Sequence, residues 1–202
     1  MPPPSRVYLE QGKSWVFACA LDWPGWCRRG KGAEAALQAL VDYASRYADV
    51  VRGEFTASPI EVVARVEGGV TTDFGAPGEP APWDREPLQG PELTRLVSVV
   101  EECWRAFDRV RSRVPAELRK GPRGGGRDRE EIVAHVREAE RAYARKSGLR
   151  LPPGTEWEVQ RAGLATLWRS GAADDRWPLR YAVRRCAWHV LDHAWEMEDR
   201  AV

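Results

Sequence analysis

Apolar residues recur every three or four positions at Ala36, Leu37, Leu40, Val41, Tyr43, Ala44 and Tyr47. That is the period of an amphipathic helix, and it predicts one helix from Gly32 to about Val51. The pattern before it is different. Residues 6–10 alternate in character, and 15–21 form a continuous apolar run. Two strands are expected there, joined by Gln11-Gly12-Lys13-Ser14, whose glycine and polar side chains suit a hairpin turn. Asp22-Trp23-Pro24-Gly25-Trp26 stops the second strand, because proline has no N–H for the ladder and Pro-Gly favours a turn. Trp23 and Trp26 are expected to fill a core. Residues 60–67 alternate again and predict a third strand. Residues 1–67 therefore read as a small β-β-α-β module.

Glycine and proline crowd 68–90, including Gly68-Gly69 and Gly75-Ala76-Pro77-Gly78-Glu79-Pro80-Ala81-Pro82. These residues break regular elements, so the stretch is expected to be a linker, one that packs through Phe74 and Trp83. Beyond it, 91–202 reads as four helices. The first, about 91–114, carries the stripe Leu93, Leu96, Val97, Val100, Cys103, Trp104, Phe107 and Val110,. The second starts near Asp128, a capping residue followed by Glu130 and Glu131 at the positive end of the helix dipole. The loop before it, Gly121-Pro122-Arg123-Gly124-Gly125-Gly126, lacks a P-loop lysine and hydroxyl and reads as a connection. The third helix covers 155–170 and the fourth begins near Pro178. In the fourth, Leu179, Ala182, Val183, Cys186, His189, Val190, His193 and Met197 share one face, and Tyr181, Trp188 and Trp195 mark a second. A helix apolar on two faces sits inside a bundle or at a dimer interface, so a homodimer is one expectation. The fold class expected is an α+β amino-terminal module followed by an all-α four-helix bundle, two domains in 202 residues,.

Composition narrows the function classes. Net charge is +1, which gives no field directed at nucleic acid or an anionic membrane. The basic runs Arg28-Arg29-Gly30-Lys31 and Arg119-Lys120 read as solvated faces. No apolar stretch reaches the ~20 residues that span a bilayer, and Met1-Pro2-Pro3-Pro4-Ser5-Arg6 lacks the apolar core of a signal peptide. A cytoplasmic protein is expected. Its four cysteines, Cys19, Cys27, Cys103 and Cys186, show no CxxC pairing, so reduced thiols are the default.

The chemistry concentrates in three histidines, the only ones in the chain. His189 and His193 are four apart on one helix face, close enough for both imidazoles to reach one ion. His135 lies on the core side of the second helix. Three imidazoles on core faces suggest a metal site, because buried ring nitrogens need partners. Histidines hydrogen-bonded within a core are the alternative that pattern alone leaves open. Glu138 and Glu196, each about a turn from a histidine, are candidates to orient an imidazole. Cys186, one turn before His189, reads best as a small buried hydrophobe, with a fourth ligand or redox thiol as the other reading.

Two resemblances add expectations. Asp22-Trp23-Pro24-Gly25-Trp26-Cys27-Arg28-Arg29-Gly30, followed by Glu34-Ala35-Ala36-Leu37, resembles the HicB-type antitoxin module over roughly 6–67. That likeness implies a small protein partner for the module. Trp188-His189-Val190-Leu191-Asp192-His193-Ala194-Trp195-Glu196, with His135 in the second helix, resembles the DinB superfamily over about 91–202. It implies a bundle that holds a divalent cation through His135, His189 and His193, in an enzyme that uses a low-molecular-weight thiol. Zinc or nickel suits imidazole; magnesium and calcium do not. The expected function is a metal-dependent S-transferase, isomerase or hydrolase acting on a small molecule. The other reading is a non-enzymatic protein-binding module fused to a bundle with a structural metal. No catalytic residue is assigned.

Overall fold

The computed structural model describes residues 3–53, 55–56, 58–121, 125–172 and 177–201. The chain divides into two compact units, Met1–Pro87 and Leu88–Val202. Among the described residues there are four strands and seven α-helices, and no helix is long and apolar enough to cross a membrane.

The first unit is α+β. Strands β1 (Ser5–Gln11) and β2 (Val16–Ala20) form the expected antiparallel hairpin, closed by Gly12 N–H donating to the Trp15 carbonyl at 2.9 Å. A further strand, β3 (Cys27–Gly30), pairs antiparallel with β2. It was not expected, because Arg28 and Arg29 mask its alternation. Their cations lie on aromatic faces instead, Arg28 over Tyr43 and Arg29 over Trp15, so what reads in sequence as a solvated run is partly packed. Helices α1 (Ala33–Asp42) and α2 (Ala44–Val51) follow where one helix was expected. Strand β4 (Ile60–Glu67) then pairs parallel with β1, giving the mixed order β3-β2-β1-β4.

The Trp23-Pro24-Gly25-Trp26 turn has the form its sequence demands. Gly25 has φ +93° and Trp26 N–H donates to the Trp23 carbonyl at 3.1 Å, which are the marks of a type II turn with proline first and glycine second. Trp26 is 1% exposed, stacks on Tyr47, meets Phe55 edge-on and donates its indole N–H to the Leu40 carbonyl. Gly30 is needed for a different reason: a Cβ there would lie 2.3 Å from the Ala36 nitrogen, where β3 meets α1.

The Gly/Pro-rich stretch contains a short helix, α3 (Val70–Asp73), and a 3-10 turn, Pro82–Arg85. It packs, but not through Phe74, which is 87% exposed. The anchor is Glu10 on β1, fully buried, which accepts hydrogen bonds from Thr72 Oγ1 at 2.5 Å, Gly78 N at 2.7 Å and Glu79 N at 3.1 Å. Desolvation pushes the Glu10 carboxyl above the ordinary glutamate range, and these donors offset part of that rise,.

The second unit holds helices α4 (Gly90–Arg113), α5 (Arg129–Lys146), α6 (Trp157–Arg169) and α7 (Leu179–Arg200). Helix α4 packs on α6 and α7, and α5 packs on the same two, so the four close into a ring. Helix α7 buries both predicted stripes, including Val183, Cys186 and Val190 on one and Tyr181, Trp188 and Trp195 on the other. Between α4 and α6, Trp104 stacks on Trp168 and Phe107 meets Trp157 edge-on,.

One charged network lies inside this core. Glu140 is fully buried and Arg161 is 8% exposed. Arg161 Nε and Nη2 donate to the two Glu140 oxygens at 3.0 and 3.1 Å, while Nη1 reaches Asp108 at 3.0 Å. The Trp157 indole N–H also donates to Glu140. Burial pushes the Glu140 carboxyl up, and Arg161 opposes that rise.

Candidate metal centre

Two helices carry the site. Helix α5 starts on a capping box: Asp128 N–H donates to Glu131 at 2.8 Å, and the Asp128 side chain caps in return,. This start sets the register that brings His135 to α7. On α7, Arg185, His189 and His193 follow at four-residue intervals along one face,. Pro178 lies immediately before the first turn, where its missing N–H costs little, and its carbonyl accepts from Ala182 N–H at 2.9 Å,.

The structure brings the three predicted histidines together. Each offers one ring nitrogen, and all lie within 4.8 Å of one another. The His135 and His189 Nε2 atoms are 3.2 Å apart. Zinc–nitrogen bonds of ~2.0–2.1 Å in tetrahedral geometry would separate two ligand nitrogens by roughly 3.3 Å, so this pair is spaced for one ion. The ring centroids are 4.7, 4.9 and 5.1 Å apart and the planes are steeply inclined, so the rings converge edgewise rather than stack. Among the described residues this cluster could hold a metal ion; its identity is not fixed by the donor set.

Electrostatics favour the ligand form. Desolvation lowers the pKa of His189 well below the ordinary imidazole range, and neighbouring His193 and Arg185 add to the effect. His135 is lowered for the same first reason, with His193 and Arg127 contributing. Both rings are therefore neutral near pH 7, as a metal ligand must be.

The third ring has a defined tautomer. His193 Nδ1–H donates to Glu196 Oε2 at 2.7 Å, and Arg200 Nη1 donates to Glu196 Oε1 at 2.7 Å. The hydrogen bond from His193 is the largest cause holding the Glu196 carboxyl below its ordinary range. With Nδ1 committed, His193 turns its Nε2 lone pair free for an ion. Glu196→Ala is expected to weaken metal binding by about 10–100-fold, the usual weight of such a partner. Competition with a chromogenic chelator measures this, and unchanged affinity would remove Glu196 from the site.

The other candidate partners stand apart. Glu138 is exposed. Cys186 is fully buried, burial pushes its thiol well above the usual range, and it is not part of the ligand group. His189 Nδ1 is buried without a hydrogen-bond partner, so the outer support of the triad is complete at His193 and open at His189.

The surroundings were not read from sequence. Tyr143 meets His189 edge-on at 5.7 Å and stacks on Trp177. Arg185 lies 4.6 Å over the Trp188 ring and 5.7 Å from the Tyr143 centroid. The signal for Arg185 was present, since it stands four residues before His189 on the same face. Gly126, just before α5, faces the Arg200 guanidinium, 2.7 Å from where a Cβ would stand. Pro122, Arg123 and Gly124 of the glycine-rich connection lie outside the described residues.

Comparison of the chain with protein-family models, with curated proteins and with solved structures gave no match. The likenesses to DinB and HicB thus have no family match behind them.

Proposed function

We propose that the chain is a metal-dependent enzyme acting on a small molecule through its three-histidine centre, with thiol-dependent S-transfer, isomerisation or hydrolysis as the reaction class. The convergence of three imidazole donors from α5 and α7 is the observation that carries this reading. The three histidines would hold a divalent ion such as zinc or nickel, whose charge, undiminished by imidazole ligands, would activate a water or thiol.

The chain's own residues then have distinct tasks. His135, His189 and His193 hold the ion. Glu196 accepts a hydrogen bond from His193 Nδ1–H and so fixes which nitrogen faces inward, while Arg200 fixes Glu196. Burial of His189 and its aromatic neighbours keeps bulk water away from that side. A structural centre would call for a fourth protein ligand, and among the described residues the ligand group contains only the three histidines. That absence favours the enzyme over a metal-stapled binding module. The fold and ligand arrangement that the DinB likeness implies agree with this proposal, and the thiol is taken from that likeness.

Cobalt(II)-loaded protein tests the open position. Addition of 2-mercaptoethanol is expected to produce a thiolate-to-cobalt charge-transfer band in the near ultraviolet. A spectrum indifferent to added thiol, azide and cyanide would mean a closed, structural site.

A further inference from the structure

We propose that Arg185 and Trp177 form a carboxylate-binding subsite one helical turn from the metal centre, so that the substrate is a small molecule bearing a carboxylate beside its reacting group. The inference rests on the metal reading of the triad and adds the substrate's charge and its orientation.

The observation is a pair of buried donors with nothing to donate to. Arg185 Nη1 and Trp177 Nε1 are both shut off from solvent and have no hydrogen-bond partner among the described residues. The two belong to one place. Trp177 stacks on Tyr143 at 5.6 Å, Arg185 lies against the same Tyr143 ring, and Tyr143 meets His189 edge-on. Arg185 precedes His189 by four residues, a rise of about 6 Å along α7. An orphaned buried donor costs roughly 1–3 kcal/mol, so two against one tyrosine ring call for an acceptor.

No nearby carboxylate in the described structure fills that need. Glu140 is held by Arg161, and Glu196 by His193 and Arg200. Arg185 keeps its position by lying over aromatic rings, Trp188 foremost. Stacking uses the face of a guanidinium and leaves its N–H edge available. Lys146, exposed at the end of α5, lies 4.6 Å over the Trp177 ring and adds positive charge on the same side. One guanidinium edge with one neutral indole donor matches a planar, singly charged acceptor, which is a carboxylate.

The test uses full-length, metal-loaded protein and two thiols of similar size, 3-mercaptopropionate and the uncharged 2-mercaptoethanol, titrated by calorimetry with metal content measured on the same samples. Wild type is expected to bind the charged thiol tighter by on the order of tenfold or more, the weight of one charge-assisted hydrogen bond. Arg185→Gln should erase that preference without changing metal content or 2-mercaptoethanol affinity, and Arg185→Lys should keep part of it. Trp177→Phe, which retains the ring and removes the donor, should lose a smaller share. Equal binding of both thiols by metal-loaded wild type overturns the carboxylate subsite and leaves the metal centre standing. Protein that takes up no metal overturns the triad reading and this subsite together.

Discussion

His135→Ala and His193→Ala proteins are expected to lose stoichiometric metal while keeping their helical content. Each substitution removes one of three donors, and two imidazoles bind far more weakly than three. Loss of a mere outer partner costs about 10–100-fold in affinity, so removal of a ligand should exceed a hundredfold. The two residues come from different helices, and His135 is only half-buried, so truncation there opens less core than at His189. His189 is 6% exposed, and its alanine variant would mix cavity formation with ligand loss. Metal content by mass spectrometry alongside far-ultraviolet circular dichroism separates the effects. Folded variants that still carry one equivalent of metal would place the ion elsewhere.

The second large effect belongs to the buried ion pair. Arg161→Met should destabilise the protein by about 3–5 kcal/mol, because it leaves the fully buried Glu140 without its cation,. For a chain of this size that corresponds to a fall in melting temperature on the order of 10 °C. The pH dependence gives the mechanism away. Burial raises the Glu140 carboxyl above its unfolded value, so the folded state binds that proton more tightly. Stability from this group is greatest in acid and declines as pH rises through the interval between the unfolded and folded values. Without Arg161 that interval extends upward, and the deficit of the variant should shrink in acid and grow toward neutral pH. A deficit independent of pH would mean that lost packing, not a stranded charge, is the cause. Arg161→Met combined with Glu140→Met should recover most of the loss.

These two features were unequally legible in the sequence. The histidine triad could be read because its ligands lie on helices with clear period, and i,i+4 spacing places two of them on one face without knowledge of the tertiary fold. His135 followed from its position on the apolar stripe of α5. Glu140 sits on the same helix, yet a charged residue at a stripe position looks like a break in the stripe. Only the approach of Arg161 and Trp157 from α6 makes it a core residue. Arg185 carried the signal of its spacing from His189, but its packing depends on Tyr143, which reaches it from α5.

In the sheet unit, hairpin, turn and β4 were visible from alternation and turn chemistry. Strand β3 was not, since only four residues pair and two are arginines whose partners are aromatic rings distant in sequence. The split between α1 and α2 at Tyr43 also left no signal, because the apolar spacing runs through it. Packing of the Gly/Pro-rich stretch was foreseen, but Phe74 takes no part in it. Its anchor is the carboxylate of Glu10, which looks in sequence like the polar partner of an alternating strand.

The proposed activity requires that His135, His189 and His193 bind one metal ion. The direct measurement is the metal content of protein purified without chelator or affinity metal, then stripped and titrated with zinc and nickel in turn. One equivalent per chain, with affinity that collapses in His135→Ala and His193→Ala, is the predicted result. Wild-type protein that binds neither ion, and whose stability is unchanged by either substitution, would contradict it.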